Sequence, residues 1–154
     1  VTNWTPRSIC WRMLVATDGS PTAARALEQA LLLRRQLREG DKVELQLINV
    51  QRPVSGNVAS FATASSIEDY HRERSEEALT PARKRLSEAG ITFKEHQRVG
   101  EPGRTIAEVA ASETCDMIVM GARGLGAHTA ALLGSVAAGT LETAPVPVLV
   151  VRGD

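Results

Sequence analysis

Met117-Ile118-Val119-Met120-Gly121-Ala122-Arg123-Gly124 joins a short apolar run to two glycines three positions apart, and nine residues after Gly124 come Gly134 and Ser135. The apolar run has the length and character of a buried strand. Glycines after it let backbone N–H groups converge on the oxygens of a ligand. A helix starting near Ser135 adds unpaired N–H groups and the positive end of a dipole. The stretch therefore predicts a strand, a phosphate-cradling loop and a helix, in that order.

The same alternation extends outward in both directions. Met13-Leu14-Val15-Ala16-Thr17 is apolar and closes on Asp18-Gly19-Ser20-Pro21, a strand followed by a turn. Pro21 and Thr22 suit the first turn of a helix with Ala23, Leu27, Ala30 and Leu31 on one face and Gly40 as its stop. Val43 to Val50 reads as a second strand. Residues 51–66, with Pro53 and Gly56, form the longest irregular segment and read as a flexible loop over a site. Ser65 and Glu68 have capping-box spacing ahead of a helix carrying Ile67, Tyr70, Ala78, Leu79, Ala82 and Leu86, ending at Gly90. Pro81 is expected to bend or split that helix.

Ile91 to Val99 alternates as a third strand, Gly100 to Gly103 is a turn, and Ile106, Val109 and Ala110 mark a third helix. After the glycine loop, a short helix runs from Ser135 to about Thr143. Pro145 to Val151 is the last strand, and its prolines put it at an edge or outside the pairing at its start. Strands alternating with helices define an α/β fold: a single-domain, open, five-stranded parallel sheet with helices on both faces. Ligands of such sheets bind beyond the carboxyl ends of the strands, and Asp18, Val50 and Gly121 all fall at such ends. Residues 1–11 read as a poorly ordered N-terminal extension and 12–154 as the domain, a size suited to one core.

Composition narrows the function classes. Hydrophobic residues are 43% and charged residues 23%, which suits a folded globular chain. Eighteen basic residues balance eighteen acidic ones, so nothing draws the protein to nucleic acid. No apolar run is long enough to span a membrane and the first dozen residues lack a signal-peptide pattern, so a cytoplasmic location is expected. Cys10 and Cys115 are far apart with no histidine beside them, which argues against a metal site or disulfide framework. A P-loop is excluded because no Gly-Lys-Ser or Gly-Lys-Thr occurs, and the dinucleotide fingerprint fails at Thr129, where a third glycine is required.

The chain resembles the universal stress protein family. The likeness runs from Met13–Ser20 through Leu47-Ile48-Asn49-Val50 and Val99-Gly100-Glu101-Pro102 to Asp116–Gly126, Leu133-Gly134-Ser135-Val136 and Pro145–Val151. The nucleotide-binding branch of that family carries Gly-x2-Gly-x9-Gly-Ser/Thr, and Gly121, Gly124, Gly134 and Ser135 match it without a gap. The resemblance implies a Rossmann-like fold of the adenine nucleotide alpha hydrolase type and ATP with Mg²⁺ as cofactor. It also implies a regulatory rather than catalytic use of the nucleotide and a homodimer built on the C-terminal strand.

By that similarity Gly124, Gly134, Ser135 and Val136 hold the phosphates. Ala16, Thr17, Asp18, Val50, Met120 and Gly121 hold adenine and ribose, with Asp18 a candidate ligand for a nucleotide-borne cation. Arg123 reaches either a phosphate or solvent. Two positions depart from the common pattern: Ala16 stands where many members have proline or valine, and Asn49 where histidine is frequent. Simpler readings stand beside these: Asp18 as a turn residue, Ser135 as a helix cap, His128 as a loop residue and Arg152-Gly153-Asp154 as a polar tail. Two rival functions remain open. An ATPase or adenylyl-transferring enzyme needs groups aimed at the reacting phosphate, and the glycine loop has no lysine and the chain no His-x-Gly-His. A partner-binding module without nucleotide leaves the glycine spacing unexplained.

Overall fold

The computed structural model describes residues 10–37, 42–125 and 132–153. The expectations placed on residues 1–9, Gly40, His128 and Asp154 lie outside these. In chain order the elements are β1 (Trp11–Ala16), α1 (Pro21–Gln36), β2 (Val43–Gln51), α2 (Gly56–Ala59), α3 (Ala64–Glu88), β3 (Phe93–Val99), α4 (Pro102–Ser112), β4 (Met117–Gly121), α5 (Ser135–Thr143) and β5 (Val148–Val151). The strands form one sheet in the order β3-β2-β1-β4-β5, with every neighbouring pair parallel. The chain builds outward from β1 to β3 on one side, then crosses back to add β4 and β5 on the other. That reversal leaves a crevice between the carboxyl ends of β1 and β4.

Side-chain alternation along β1 splits the core in two. Met13 and Val15 face α1 and α3 with Leu27, Leu31, Leu45, Leu47 and Leu79, whereas Leu14 and Ala16 face α4 and α5 with Ile48, Ile106, Ile118 and Met120. Each strand-borne apolar run is thus covered on both faces, the condition for a stable parallel sheet. α1 starts where the sequence directs it: Ser20 Oγ accepts the N–H of Ala23 at 3.1 Å and Pro21 opens the helix. Gly19 has φ +82°, and a Cβ there would lie 3.2 Å from Ala78 Cα, so the turn after β1 requires glycine.

Several local expectations change. α3 begins at Ala64, two positions before the capping-box reading allows, because Thr63 Oγ1 accepts the N–H of Ser66 at 3.1 Å and Ser66 Oγ donates back to the Thr63 carbonyl. Pro81 does not split α3, which runs unbroken for 25 residues. Pro81 faces solvent while Ala78, Leu79, Ala82 and Leu86 on either side of it are buried against the sheet, so packing holds the helix and water can satisfy the Glu77 carbonyl. β3 starts at Phe93 and not Ile91, since the N–H of Ile91 bonds to the Leu86 carbonyl at 3.0 Å and, with Gly90 at φ +68°, closes the end of α3. The segment read as irregular contains one helical turn, α2, which buries none of its residues. Among the described residues no helix is long and apolar enough to cross a membrane.

Candidate functional site

The carboxyl ends of β1, β2 and β4 meet the start of α5 around a cavity of about 390 Å³, within the usual range for ligand sites. Every expected site residue lines it. β1 and the turn after it contribute Ala16, Thr17 and Asp18, β2 contributes Val50, and β4 contributes Met120 and Gly121. Arg123 and Gly124 come from the loop, and Gly134, Ser135 and Val136 from the start of α5.

α5 has the features of an anion-binding helix end. Gly134 is its N-cap in an extended conformation, φ −75° and ψ 168°, and makes no side-chain cap bond. Ser135 is therefore the first helical residue and not the cap. By contrast Ser20, Thr63 and Glu101 cap α1, α3 and α4 through their own side chains. The Gly134 N–H donates to the Ala122 carbonyl at 2.7 Å, which folds the loop back over the end of β4. The next N–H groups, on Ser135 and Val136, have no intrahelical acceptor and border the cavity. Gly121 fits tightly against α1: a Cβ there would lie 2.8 Å from Thr22 Cγ2.

Asp18 combines the turn reading with the site reading. Its Oδ1 accepts the N–H of Ser20 at 2.9 Å, as an Asx turn does. Its Oδ2 reaches across the crevice to accept the N–H of Leu125 at 2.9 Å. That oxygen fills the space beside Gly124, where a Cβ would lie only 2.3 Å away. A carboxylate thus occupies one donor of the glycine loop, showing that the loop presents N–H groups to anionic oxygen. Among the described residues Asp18 is the only acid lining the cavity, and no three His, Cys, Asp or Glu side chains converge as a metal site. The protein fits a cation only as one shared with a ligand's own oxygens.

The sequence reading treated Asn49 only as a departure, yet it holds the site together. Its Nδ2 donates to the Thr17 carbonyl at 2.8 Å, while its Oδ1 accepts from Gln51 Nε2 at 2.8 Å and Ser75 Oγ at 3.0 Å. This buried amide ties the end of β1 to β2 and α3. Its signal in the sequence is a lone amide between Ile48 and Val50. Arg52, Pro102 and Leu125 also line the cavity; Pro102 and Leu125 fall within stretches that carry the family likeness, and Arg52 has no such signal. Cys115 is buried, and desolvation pushes its thiol up to about 11, so it is an inert core residue.

A parallel sheet covered on both faces, with a glycine loop and an uncapped helix end at its switch point, defines a Rossmann-like α/β protein. The sequence profile of the universal stress protein family matches residues 11–152, and the chain belongs to that family. It is 29% identical over 149 residues to the Bacillus subtilis universal stress protein YxiE, covering 92% of this chain and 98% of that one. The fold is similar to that of the universal stress protein UspA from Lactobacillus plantarum, with TM-score 0.77 at 22% identity over 92% of this chain and 97% of that one. A universal stress protein solved in complex with cAMP is similar at TM-score 0.67 and 25% identity, covering 94% of this chain and 98% of that one.

Proposed function

We propose that this chain is a cytoplasmic stress-response protein that binds ATP with Mg²⁺ in the 390 Å³ cavity as a regulatory ligand. The observation that carries the reading is the uncapped start of α5 opening onto a glycine-lined cavity, beside a loop whose Leu125 N–H already donates to a carboxylate. The cAMP complex of a similar protein supports adenine nucleotide as the ligand class. In this reading the N–H groups of Gly124, Ser135 and Val136 bind phosphate oxygens, with the Ser135 hydroxyl and Arg123 adding donors. Gly134 lets the phosphates approach the backbone. Ala16, Thr17, Val50, Met120 and Gly121 enclose adenine and ribose, and Asp18 exchanges its Leu125 bond for ribose hydroxyls or the cation.

Regulation rather than turnover follows from what lines the cavity. Among the described residues the lining has one carboxylate and no lysine, which leaves little to stabilise charge developing on a transferred phosphoryl group. Hydrolysis is therefore slow or absent. A ligand bound only by the folded state stabilises it by about 2.7 kcal/mol at a hundredfold excess over its dissociation constant. For a domain of this size that raises Tm by roughly 5–11 °C. Melting curves and calorimetric titrations with ATP, ADP, AMP and cAMP, on protein freed of copurified ligand, test this. Absence of any shift refutes nucleotide binding.

The state of assembly belongs to the same proposal. β5 lies at the sheet edge, and its partner on the other side is the matching strand of a second copy, paired about a twofold axis.

A further inference from the structure

A second, larger cavity of about 980 Å³ opens beside the first, between residues 51–62 and one face of α3. The two share Asp18, Asn49, Val50, Arg52, Pro102, Leu125 and Val136 as walls, but Gly121, Gly134 and Ser135 border only the smaller one. The larger cavity therefore adjoins the phosphate cradle at Val136 and extends from it along α3.

Its walls are two-sided in chemistry. Ile67, Tyr70 and Arg74 lie at helical spacing on one face of α3, and Val54 and Val58 face the same space from the preceding loop. Val58, Tyr70 and Leu125 are more than half exposed, and Phe61, next to the wall residue Ala62, is 93% exposed. Apolar side chains gathered around one concavity, rather than scattered, mark a surface built to be covered.

Two guanidinium groups supply the polar end. Arg52 has Glu101 at 3.7 Å and Arg74 has Glu77 at 3.0 Å, each pair half exposed or more. A guanidinium offers five N–H donors, and exposed pairs of this kind contribute little, so a ligand's carboxylate can join or displace the acid. Glu77 is the more exposed member of its pair and has solvent to turn into.

We propose that the larger cavity binds an amphipathic organic anion. Its apolar body lies against Val54, Val58, Ile67 and Tyr70, and its carboxylate meets Arg74 and Arg52. The site adjoins the nucleotide cradle and is distinguished from it by Val54, Val58, Ile67, Tyr70 and Arg74, which line the larger cavity alone.

Calorimetric titration of the full chain, free of nucleotide, with decanoate below its micelle concentration tests the proposal, with 1-decanol as the uncharged control. Saturable one-to-one binding of decanoate is expected, at least tenfold tighter than decanol. Arg74→Gln and Val58→Asp should each weaken decanoate at least tenfold. Both residues lie outside the smaller cavity and Val58 sits on a turn that buries nothing, so circular dichroism and ATP affinity should stay within twofold of wild type. Failure of the wild-type chain to bind decanoate while it binds ATP overturns this inference alone. Loss of ATP binding with decanoate intact overturns only the nucleotide reading. Equal affinity for decanol, or indifference to both substitutions, refutes the anionic site. ATP displacing decanoate while both variants lose ATP shows the larger cavity to be part of the nucleotide site, which also refutes it.

Discussion

Substituting alanine for Gly103 and for Gly139 should give opposite effects, although the two glycines face each other. Gly103 lies in the first turn of α4, where a Cβ would fall 2.7 Å from the Gly139 carbonyl carbon and 2.8 Å from the Thr140 nitrogen. Both are α5 backbone atoms, which cannot swing aside as a side chain does. Ordinary contact begins at 3.4 Å, so α4 and α5 must part by several tenths of an ångström. Overpacking of this kind costs about 1–3 kcal/mol, and the helix propensity of alanine returns less than about 1 kcal/mol. A Cβ on Gly139 would instead lie 3.6 Å from Gly103 Cα, an ordinary contact. Propensity then decides, and Gly139→Ala should stabilise by about 0.5–1 kcal/mol. At roughly 2–4 °C per kcal/mol for this size, Gly139→Ala raises Tm by about 1–4 °C and Gly103→Ala lowers it by about 1–8 °C. Because α5 carries Ser135 and Val136, Gly103→Ala should also weaken ATP, and Gly139→Ala should not. Urea and thermal unfolding without nucleotide, followed by ATP titration, measure both effects. A Gly103→Ala protein as stable as wild type refutes the close-packing argument.

Gly124→Val should abolish ATP binding while the fold survives, because its Cβ meets only the Asp18 carboxylate and no backbone; retained circular dichroism together with wild-type affinity would remove Gly124 from the cradle. Asp18→Ala should weaken ATP by only about 0.5–1.5 kcal/mol, the worth of one polar contact, and a total loss in titration contradicts that role. His96 is buried beside Gln46 Oε1 at 2.7 Å, and burial lowers its pKa below 6.5, with Arg98 and Lys94 adding to the shift and Glu113 and Glu95 opposing it. The unfolded chain then binds the proton first, so stability is full above pH 6.5 and falls as the pH drops through 6.5 towards the folded-state value. Urea midpoints at pH 7.5 and 5.5 should diverge more in wild type than in His96→Gln, and equal divergence excludes His96 as the cause. In β5 the carbonyls of Pro147 and Val151 accept from Ile118 and Ala122 of the β4 side, so by strand alternation Val148 and Val150 turn their backbone groups to the outer edge. Val150→Pro should therefore leave β4 paired and convert a dimer to a monomer in light scattering, whereas a wild type that is already monomeric at micromolar concentration contradicts edge pairing.

The sequence by itself determined what depends on neighbours a few residues apart. Alternation from Met13 to Ala16 reports a strand buried on both faces, Ser20-Pro21 reports a helix start, and the spacing of Gly121, Gly124, Gly134 and Ser135 reports a loop ahead of a helix. Each follows from local backbone preference and from which face must leave water. Tertiary structure decided what depends on residues distant in the chain. Asp18 and Leu125 are 107 positions apart, and only the placement of β4 beside β1 brings them to hydrogen-bonding distance. Asn49 joins Thr17 to Ser75 because β2 lies between β1 and α3. Pro81 stays within one helix because buried leucines and alanines on either side outweigh a single lost bond, a balance invisible to propensity. The larger cavity has no motif, since it arises from the gap between a loop and a helix face. Chain periodicity specifies which surfaces are buried; only the packed sheet and helices specify what those surfaces enclose.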